Sequence, residues 1–378
     1  MRIGIVCFAA IGGSSTVAAA LANHLVAAGH TLFLLAPVPP ERLRPHSSLF
    51  FRAMPNAGNP LRPGSAAEVH RLAQAIAAVV SEDHLDVVHA HYAHPHAVAA
   101  VAAREMLLGS WTPTVVTTLH GTDVTVHPSV APAISAALSA SDGVAAVSPF
   151  LADAAVEAYG IPRPVVIPNC IDPVSVRHLP DVEQRIASGS ERVLLHVSTL
   201  RPVKRAVDCV GILARVNRRV PCRLLVVGDG PDADVMRAEA TRLGVAKAIS
   251  FVGATARVGH YFAQADVLLL PSASESFGMA ALEAMAAGVP VVGSRVDGLS
   301  GVVVDGVCGR LLPVGDLDGM AAAACDILLQ PRLAVAYGDA GRRRAQECYA
   351  PAGVIAAYDE FYAESRLRHA AGLPSGAP

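Results

Sequence analysis

The stretch Glu275-Ser276-Phe277-Gly278-Met279-Ala280-Ala281-Leu282-Glu283 decides how this chain is read. It follows the apolar run Val267–Leu270 by way of Pro271 and Ser272, and it opens an Ala-rich segment, 279–287, that stops at Gly288 with Pro290 just beyond. A short apolar run bounded by turn residues fits a buried parallel strand, and the segment after it fits a helix closed by glycine. Backbone N–H groups at such a helix start attract an anion, and the helix dipole adds to them. A diphosphate therefore fits around Phe277, Gly278, Met279 and Ala280. Glu283 sits about one helical turn beyond Met279, where a carboxylate can accept hydrogen bonds from two neighbouring hydroxyls, as on a ribose. Glu275, in the turn itself, can hold sugar hydroxyls. A lone Glu on a helix is most often solvated. Here Ala281, Leu282, Ala284, Met285 and Ala286 surround Glu283, and an acid in such company needs a partner.

Upstream, Val197-Ser198-Thr199-Leu200-Arg201-Pro202-Val203-Lys204-Arg205 ends one strand and opens another helix. Fixed cations beside a departing nucleoside diphosphate lower the barrier without a metal. Arg201 can bind a phosphate bidentately and Lys204 can act as a point charge; whether Lys204 or Arg205 faces the diphosphate stays open. In Val227-Gly228-Asp229-Gly230 the glycines, Gly228 first, permit close backbone approach to a ligand. No isolated Asp-x-Asp motif stands in a loop, so neither a divalent metal nor any other cofactor is expected.

Outward from these motifs, strand and helix alternate along both halves. Strands are expected at 2–8, Thr31–Ala36, 87–90, 114–118, 143–147 and 165–167, then at Arg192–Val197, 223–227, 250–252, Val267–Leu270 and 289–292. Helices are expected at 14–28, near 95–108, at Ala131–Ala140 and at 351–366. That alternation implies an α/β fold of doubly wound parallel sheets, with ligands at the carboxyl ends of the strands. At 378 residues the chain suits two domains. They are placed at 1–171 and 191–350, joined by the polar linker 172–190, with a terminal helix and frayed tail at 351–378. Hydrophobic residues make up 52% and net charge is −2, which argues for a globular chain and against nucleic-acid or anionic-membrane partners. No stretch of roughly 18 uninterrupted apolar residues appears, so no membrane insertion is expected. The seven cysteines form no C-x-x-C pair; reduced thiols in the cytoplasm are the expected state.

The first half carries its own motifs. Gly12-Gly13-Ser14 leaves room for a phosphate or an acceptor carboxylate against the backbone. His89-Ala90-His91-Tyr92-Ala93-His94-Pro95-His96 packs histidines at a strand end. A metal site is one reading of it, disfavoured by the lack of accompanying cysteines or carboxylates. Thr117-Thr118-Leu119-His120-Gly121-Thr122-Asp123 ends the next strand, and His120 there can bond a sugar and polarise the reacting centre.

The run from Glu275 to Pro290 resembles the E-x7-E signature of glycosyltransferase family 4. The resemblance implies the GT-B fold, with two Rossmann-like domains facing a cleft. It also implies that the first Glu lies by the transferred sugar and the second by the donor ribose. The N-terminal turns and the Arg201–Arg205 segment are similar to those of family members that transfer N-acetylglucosamine from UDP to L-malate with retention. By that likeness the partners are a nucleotide-sugar donor and a small hydroxylated acceptor. His120, Arg201, Lys204 and Glu275 would serve the reaction. Gly13, Gly228, Phe277, Gly278, Met279, Ala280 and Glu283 would hold the donor, and Ser14, Tyr92, Thr118 and Arg201 the acceptor. A homodimer is compatible with it. The chain departs from the pattern at Thr199-Leu200, where Asn and an aromatic residue are usual, and at 56–64, where no Tyr or Phe stands. Both departures touch the acceptor side, which leaves room for another acceptor or donor sugar. The same fold also serves UDP-sugar 2-epimerases.

Overall fold

The computed structural model describes residues 1–8, 13–59, 62–107, 109, 111–125, 128–171 and 191–373. The chain divides into two compact units, Met1–Cys170 with Pro351–Pro378, and Ile171–Ala350. The segment 172–190, read as a linker, lies outside the described residues, as do Gly12 and the tail beyond 373.

The main sheet of the first unit contains β1 (Arg2–Val6), β2 (Thr31–Ala36), β3 (Leu49–Ala53), β6 (Val87–His91), β7 (Thr114–Leu119), β8 (Gly143–Ala146) and β9 (Val165–Val166). Their order is β3-β2-β1-β6-β7-β8-β9, and every pairing is parallel. A short antiparallel pair, β4 (Gly58–Asn59) and β5 (Arg62–Pro63), stands apart. The second unit has β10 (Arg192–Val197), β11 (Cys222–Val227), β12 (Ile249–Gly253), β13 (Val267–Leu270), β14 (Val291–Ser294) and β15 (Gly309–Leu312). These run parallel in the order β12-β11-β10-β13-β14-β15. In each sheet the order reverses beside the first strand, between β1 and β6 and between β10 and β13. Ligands of open parallel sheets bind outside the carboxyl ends of the strands at such a switch point.

The expected strands are present, shifted only at their ends. β3 and β15 had no expectation in the sequence. Both are edge strands and only partly buried, so neither shows the continuous apolar run of a central parallel strand.

Every residue of β6 and β7 is buried, including His89, His91, Thr117 and Thr118. Buried polar groups need hydrogen-bond partners, and the C-terminal helix Pro351–Ala371 brings two of them. It packs on the first unit, with Tyr358, Phe361 and Tyr362 buried. The Tyr362 hydroxyl lies 2.8 Å from His89 Nδ1, and the Tyr358 hydroxyl 3.3 Å from Thr118 Oγ1. Gly143 lets the helix come this close: a Cβ there would sit 2.8 Å from the Phe361 ring. The helix is thus part of the first unit's core. Among the described residues no single helix is long and apolar enough to cross a membrane.

Because Tyr362 is wholly buried and satisfies His89, Tyr362→Phe leaves an imidazole nitrogen short of a partner at almost unchanged volume. The expected cost is about 1–3 kcal/mol, read as a lower urea midpoint of the first unit with an unaltered m-value. An unchanged midpoint would show that the hydroxyl contributes nothing.

Candidate functional site

At the switch point of the second unit, two loops are tied together. β10 runs out through Ser198–Leu200 into the short turn Pro202–Lys204, and β13 runs out through Pro271 and Ser272 to Glu275. Lys204 Nζ lies 2.7 Å from Glu275 Oε1. The Ser272 hydroxyl donates to the same oxygen at 2.8 Å, and the Ala273 N–H donates to the Val203 carbonyl at 2.8 Å. Arg205 takes a left-handed backbone (φ 48°) and turns its guanidinium to Asp208 at 2.7 Å. Lys204, and not Arg205, is therefore the cation beside Glu275.

Arg201 sits one turn earlier in extended backbone. Its Nε is buried and has no hydrogen-bond partner among the described residues. A buried guanidinium N–H without an acceptor carries a standing cost of about 1–3 kcal/mol, which an anionic ligand would offset. The helix Met279–Ala286 begins after Gly278, whose φ of 102° only glycine adopts without strain. Its first turn leaves free N–H groups for an anion. Phe277 is buried, edge-on to Tyr349, and Met279 and Ala280 are half-buried beside it. Glu283 is buried within that helix.

Two glycine readings change. Gly228 adopts φ 131°, and a Cβ on it would collide with the Ser198 carbonyl; one on Gly230 would collide with the Leu200 carbonyl. The chain's own backbone makes a close approach here. The Leu200 N–H donates to the Asp229 carbonyl and the Asp232 N–H to the Leu200 carbonyl, at 2.9 and 3.1 Å. The Gly228–Gly230 turn is a seat for the loop that carries Arg201. Gly298, unremarked in the sequence, does the same for Glu275: a Cβ there would run into the backbone of Glu275 and Ser276.

His196 and Ser198 were also missed. His196 is wholly buried. Its Nδ1 lies 2.9 Å from the Leu269 carbonyl and so carries the proton, and its Nε2 accepts from the Ser198 hydroxyl at 2.7 Å. Burial pushes its pKa down to about 4. A histidine inside an otherwise apolar strand was the available signal.

In the first unit the histidine-rich turns of β6 and β7 meet. His91 Nδ1 and His120 Nε2 are 3.0 Å apart. The Tyr92 ring stacks on His120 at 5.2 Å, and Phe8 packs edge-on against Tyr92 at 5.1 Å. Tyr92 holds a positive φ of 87°, a conformation that costs energy in a non-glycine residue. His89 spends both ring nitrogens, on Tyr362 and on the Thr118 hydroxyl at 2.8 Å. Thr118 is wholly buried with its hydroxyl engaged by His89 and Tyr358. It supports the cluster from beneath. Gly13 and Ser14 begin the helix Gly13–Ala27. Burial holds His89 and His120 near pKa 3 and His96 near 4, and pushes His91 well down. The cluster is neutral imidazole at neutral pH. Among the described residues no group of three or more His, Cys, Asp or Glu is placed to hold a metal ion.

Residues 11–174 match the model described as Glycosyltransferase Family 4, and residues 181–344 that of Glycosyl transferases group 1. The chain is 32% identical to N-acetyl-alpha-D-glucosaminyl L-malate synthase of Bacillus anthracis, over 96% of each chain. It is also 32% identical to a phosphatidyl-myo-inositol mannosyltransferase of Mycolicibacterium smegmatis, over 89% of this chain and 87% of that one. Among solved structures it superposes on sucrose-phosphate synthase from Thermosynechococcus elongatus with a TM-score of 0.79 at 22% identity, covering 96% and 98% of the two chains. HepE of Anabaena, solved in complex with UDP-glucose, gives 0.76 at 18% identity, covering 95% and 98%.

Two outcomes are expected of the isolated protein. Lys204→Ala strands a buried carboxylate and costs about 1–3 kcal/mol, whereas Arg201→Ala, which breaks no hydrogen bond and removes a buried N–H that has no acceptor, leaves the unfolding midpoint the same or higher; equal losses would remove the distinction. The buried imidazoles make the first unit acid-labile. Below the ordinary histidine pKa of 6.5 the unfolded chain binds protons that the folded rings refuse until about pH 3 to 4. Stability is full above 6.5 and is lost as pH falls, on the order of 1 kcal/mol per pH unit for each ring. Urea midpoints between pH 7.5 and 5 check this, and a flat profile would contradict it.

Proposed function

The chain belongs to the glycosyltransferases built from the family 4 and group 1 domains, and from that premise we propose that it transfers N-acetylglucosamine from its UDP donor to the hydroxyl of L-malate, with retention and without a metal ion. Identity to the malate synthase along nearly the whole chain supports donor and acceptor. The observation that carries the chemistry is the pairing of a guanidinium Nε left without an acceptor at Arg201 with Lys204 on Glu275, at the switch point of the second unit.

In this reading the diphosphate lies against Arg201, Lys204 and the amides after Gly278. Glu283 takes the ribose hydroxyls. Glu275 takes sugar hydroxyls, with Lys204 turning toward the phosphate as they arrive. The bond from the anomeric carbon to the phosphate oxygen breaks, and the acceptor oxygen bonds to the same face of that carbon. The acceptor proton passes to the departing phosphate oxygen, so no side chain has to act as a base. The charge that develops on the phosphate is what Arg201 and Lys204 stabilise. By the family resemblance Ser14 and Tyr92 would serve the acceptor, Gly13 the donor and His120 the transferred sugar. Seven free cysteines, six of them buried, fit the reducing conditions of the cytoplasm.

One observation favours a second acceptor class. The departing stretch after β3 lines a cavity of about 130 Å³ with Phe8, Met54, Asn56 and His96 among its walls, and among the described residues no Lys or Arg lines it. A dicarboxylate gains nothing from such a wall, and an acceptor with a neutral, apolar portion does.

The test is UDP release from UDP-N-acetylglucosamine, with and without L-malate and with EDTA, and the product's anomeric configuration by NMR. Malate-dependent, EDTA-insensitive release of an α-linked product is expected, and Arg201→Ala should lower kcat/KM by roughly 100- to 1000-fold. Release that ignores every acceptor while the sugar is inverted at C2 would make the protein an epimerase instead.

A further inference from the structure

The ladder between β10 and β13 runs through Leu194 and Leu195, paired with Val267 and Leu268. The next carbonyl of β13, that of Leu269, is taken by a side chain: His196 Nδ1 lies 2.9 Å from it. A carbonyl oxygen only accepts, so Nδ1 carries hydrogen. Cys209 Sγ is 3.5 Å from the same nitrogen. A bare Nδ1 accepting from that thiol would set two lone pairs face to face across the 2.9 Å contact. Burial pushes the His196 pKa down to about 4, and the charges of Lys204 and Glu275 act on it in opposite senses. The ring is therefore neutral at neutral pH and stands near the ion pair of the site. A neutral imidazole with hydrogen on Nδ1 has a lone pair on Nε2, so the Ser198 hydroxyl, 2.7 Å away, must donate to it. The Ser198 backbone is held as well. Its N–H donates to the Val227 carbonyl at 3.1 Å, and its carbonyl lies where a Cβ on Gly228 would collide.

We propose that Ser198 contacts the donor as an obligate hydrogen-bond acceptor, taking an O–H or N–H of the nucleotide sugar on Oγ, and that His196 is the positioning residue that keeps it so. The proposal rests on the reading that the second unit's site holds a nucleotide sugar. Ser198 is half-buried, one residue beyond the carboxyl end of β10. A serine hydroxyl ordinarily rotates its hydrogen to donate or accept as its neighbour requires. Here the rotation is locked by three groups in series, the Leu269 carbonyl, the His196 ring and the hydroxyl itself. The one hydrogen is spent inward, so the part of Oγ that a ligand reaches is lone pair. Phosphate oxygens only accept, and they find no partner in an oxygen that also only accepts. Ser198 therefore leaves them to Arg201 and Lys204. A hydroxyl or N–H of the sugar or the nucleoside finds a fitting partner.

The test measures binding to the whole protein by calorimetry with three probes: UDP-N-acetylglucosamine, UDP and inorganic pyrophosphate. Ser198→Ala should weaken UDP-N-acetylglucosamine roughly 3- to 10-fold, the scale of one hydrogen bond, and leave pyrophosphate unweakened. Equal weakening of UDP places the donated hydrogen on the nucleoside, and unaltered UDP places it on the sugar. His196→Leu releases the serine hydrogen, so UDP-N-acetylglucosamine weakens while pyrophosphate binds tighter; a merely structural role would weaken both. His196→Gln, whose amide oxygen reaches the place of Nε2, restores the order of the unmodified protein. Two-bond 1H–15N spectra of protein labelled with 15N-histidine, with His196 recognised by its shift in Ser198→Ala, should show hydrogen on Nδ1. A His196 protonated on Nε2 overturns the proposal whatever the His196 variants do. So does a Ser198→Ala protein that binds the nucleotide sugar as before, or one that loses pyrophosphate to the same degree. An unmodified protein that binds neither UDP nor UDP-N-acetylglucosamine instead defeats the reading of the site, and the proposal with it.

Discussion

The contact between Lys204 and Glu275 is the constraint on which the second unit's site depends. Each residue belongs to a different loop, one after β10 and one after β13, and parallel strands leave their outgoing loops free to move apart. The ion pair, the Ser272 hydroxyl and the backbone bond from Ala273 to Val203 close that gap. Electrostatics makes the pair useful beyond geometry. Arg201 and Lys204 stand on one turn, and two half-buried cations with no counter-charge would repel. Glu275 cancels one of them, so the other can be left without an acceptor. The glycines that seat the loops are part of the same constraint, because a Cβ at Gly228 or Gly298 would displace the backbone on which Arg201 or Glu275 stands.

What could be read in the sequence was whatever depends on local order. Central strands announce themselves as apolar runs because both of their faces are covered, and the Glu275 turn announces itself because strand, turn chemistry and helix follow in sequence. Edge strands β3 and β15 are half-solvated, so their composition resembles a loop. The harder failures concern what packs on what. Thr118 looks like any polar residue at a strand end. Only the docking of Tyr358 and Tyr362, about 240 residues later in the chain, decides that it points into the core. Gly228 was legible as a place of close approach, but its partner, the Ser198 carbonyl, is far off in sequence. Glycine tells that something is near, not what.

The two units solve the burial of polar chemistry in opposite ways. The second unit uses opposite charges held close. The first uses neutral rings, since burial depresses the imidazoles of His89, His91, His96 and His120. A neutral imidazole still has one donor and one acceptor, so its neighbours must match it in sense as well as in place. His89 shows a matched case between Tyr362 and Thr118, where each hydroxyl can turn its proton to suit the ring. In the contact between His91 and His120 both partners are rings, so one must donate and the other accept.

The same logic reaches the second unit through His196. Its Nδ1 proton is spent on the Leu269 carbonyl, so its Nε2 can only accept, and the Ser198 hydroxyl must point its hydrogen inward. Ser198 is half-exposed at the switch point, and the face it turns to solvent is therefore an oxygen that accepts and does not donate. Such an oxygen repels a phosphate and welcomes a hydroxyl or a guanidinium. In the proposed reaction phosphate recognition would fall to Arg201, Lys204 and the amides after Gly278, and hydroxyl recognition to Ser198, Glu275 and Glu283. The buried imidazole would thus sort the ligand's groups without touching them, by deciding which way one serine proton points.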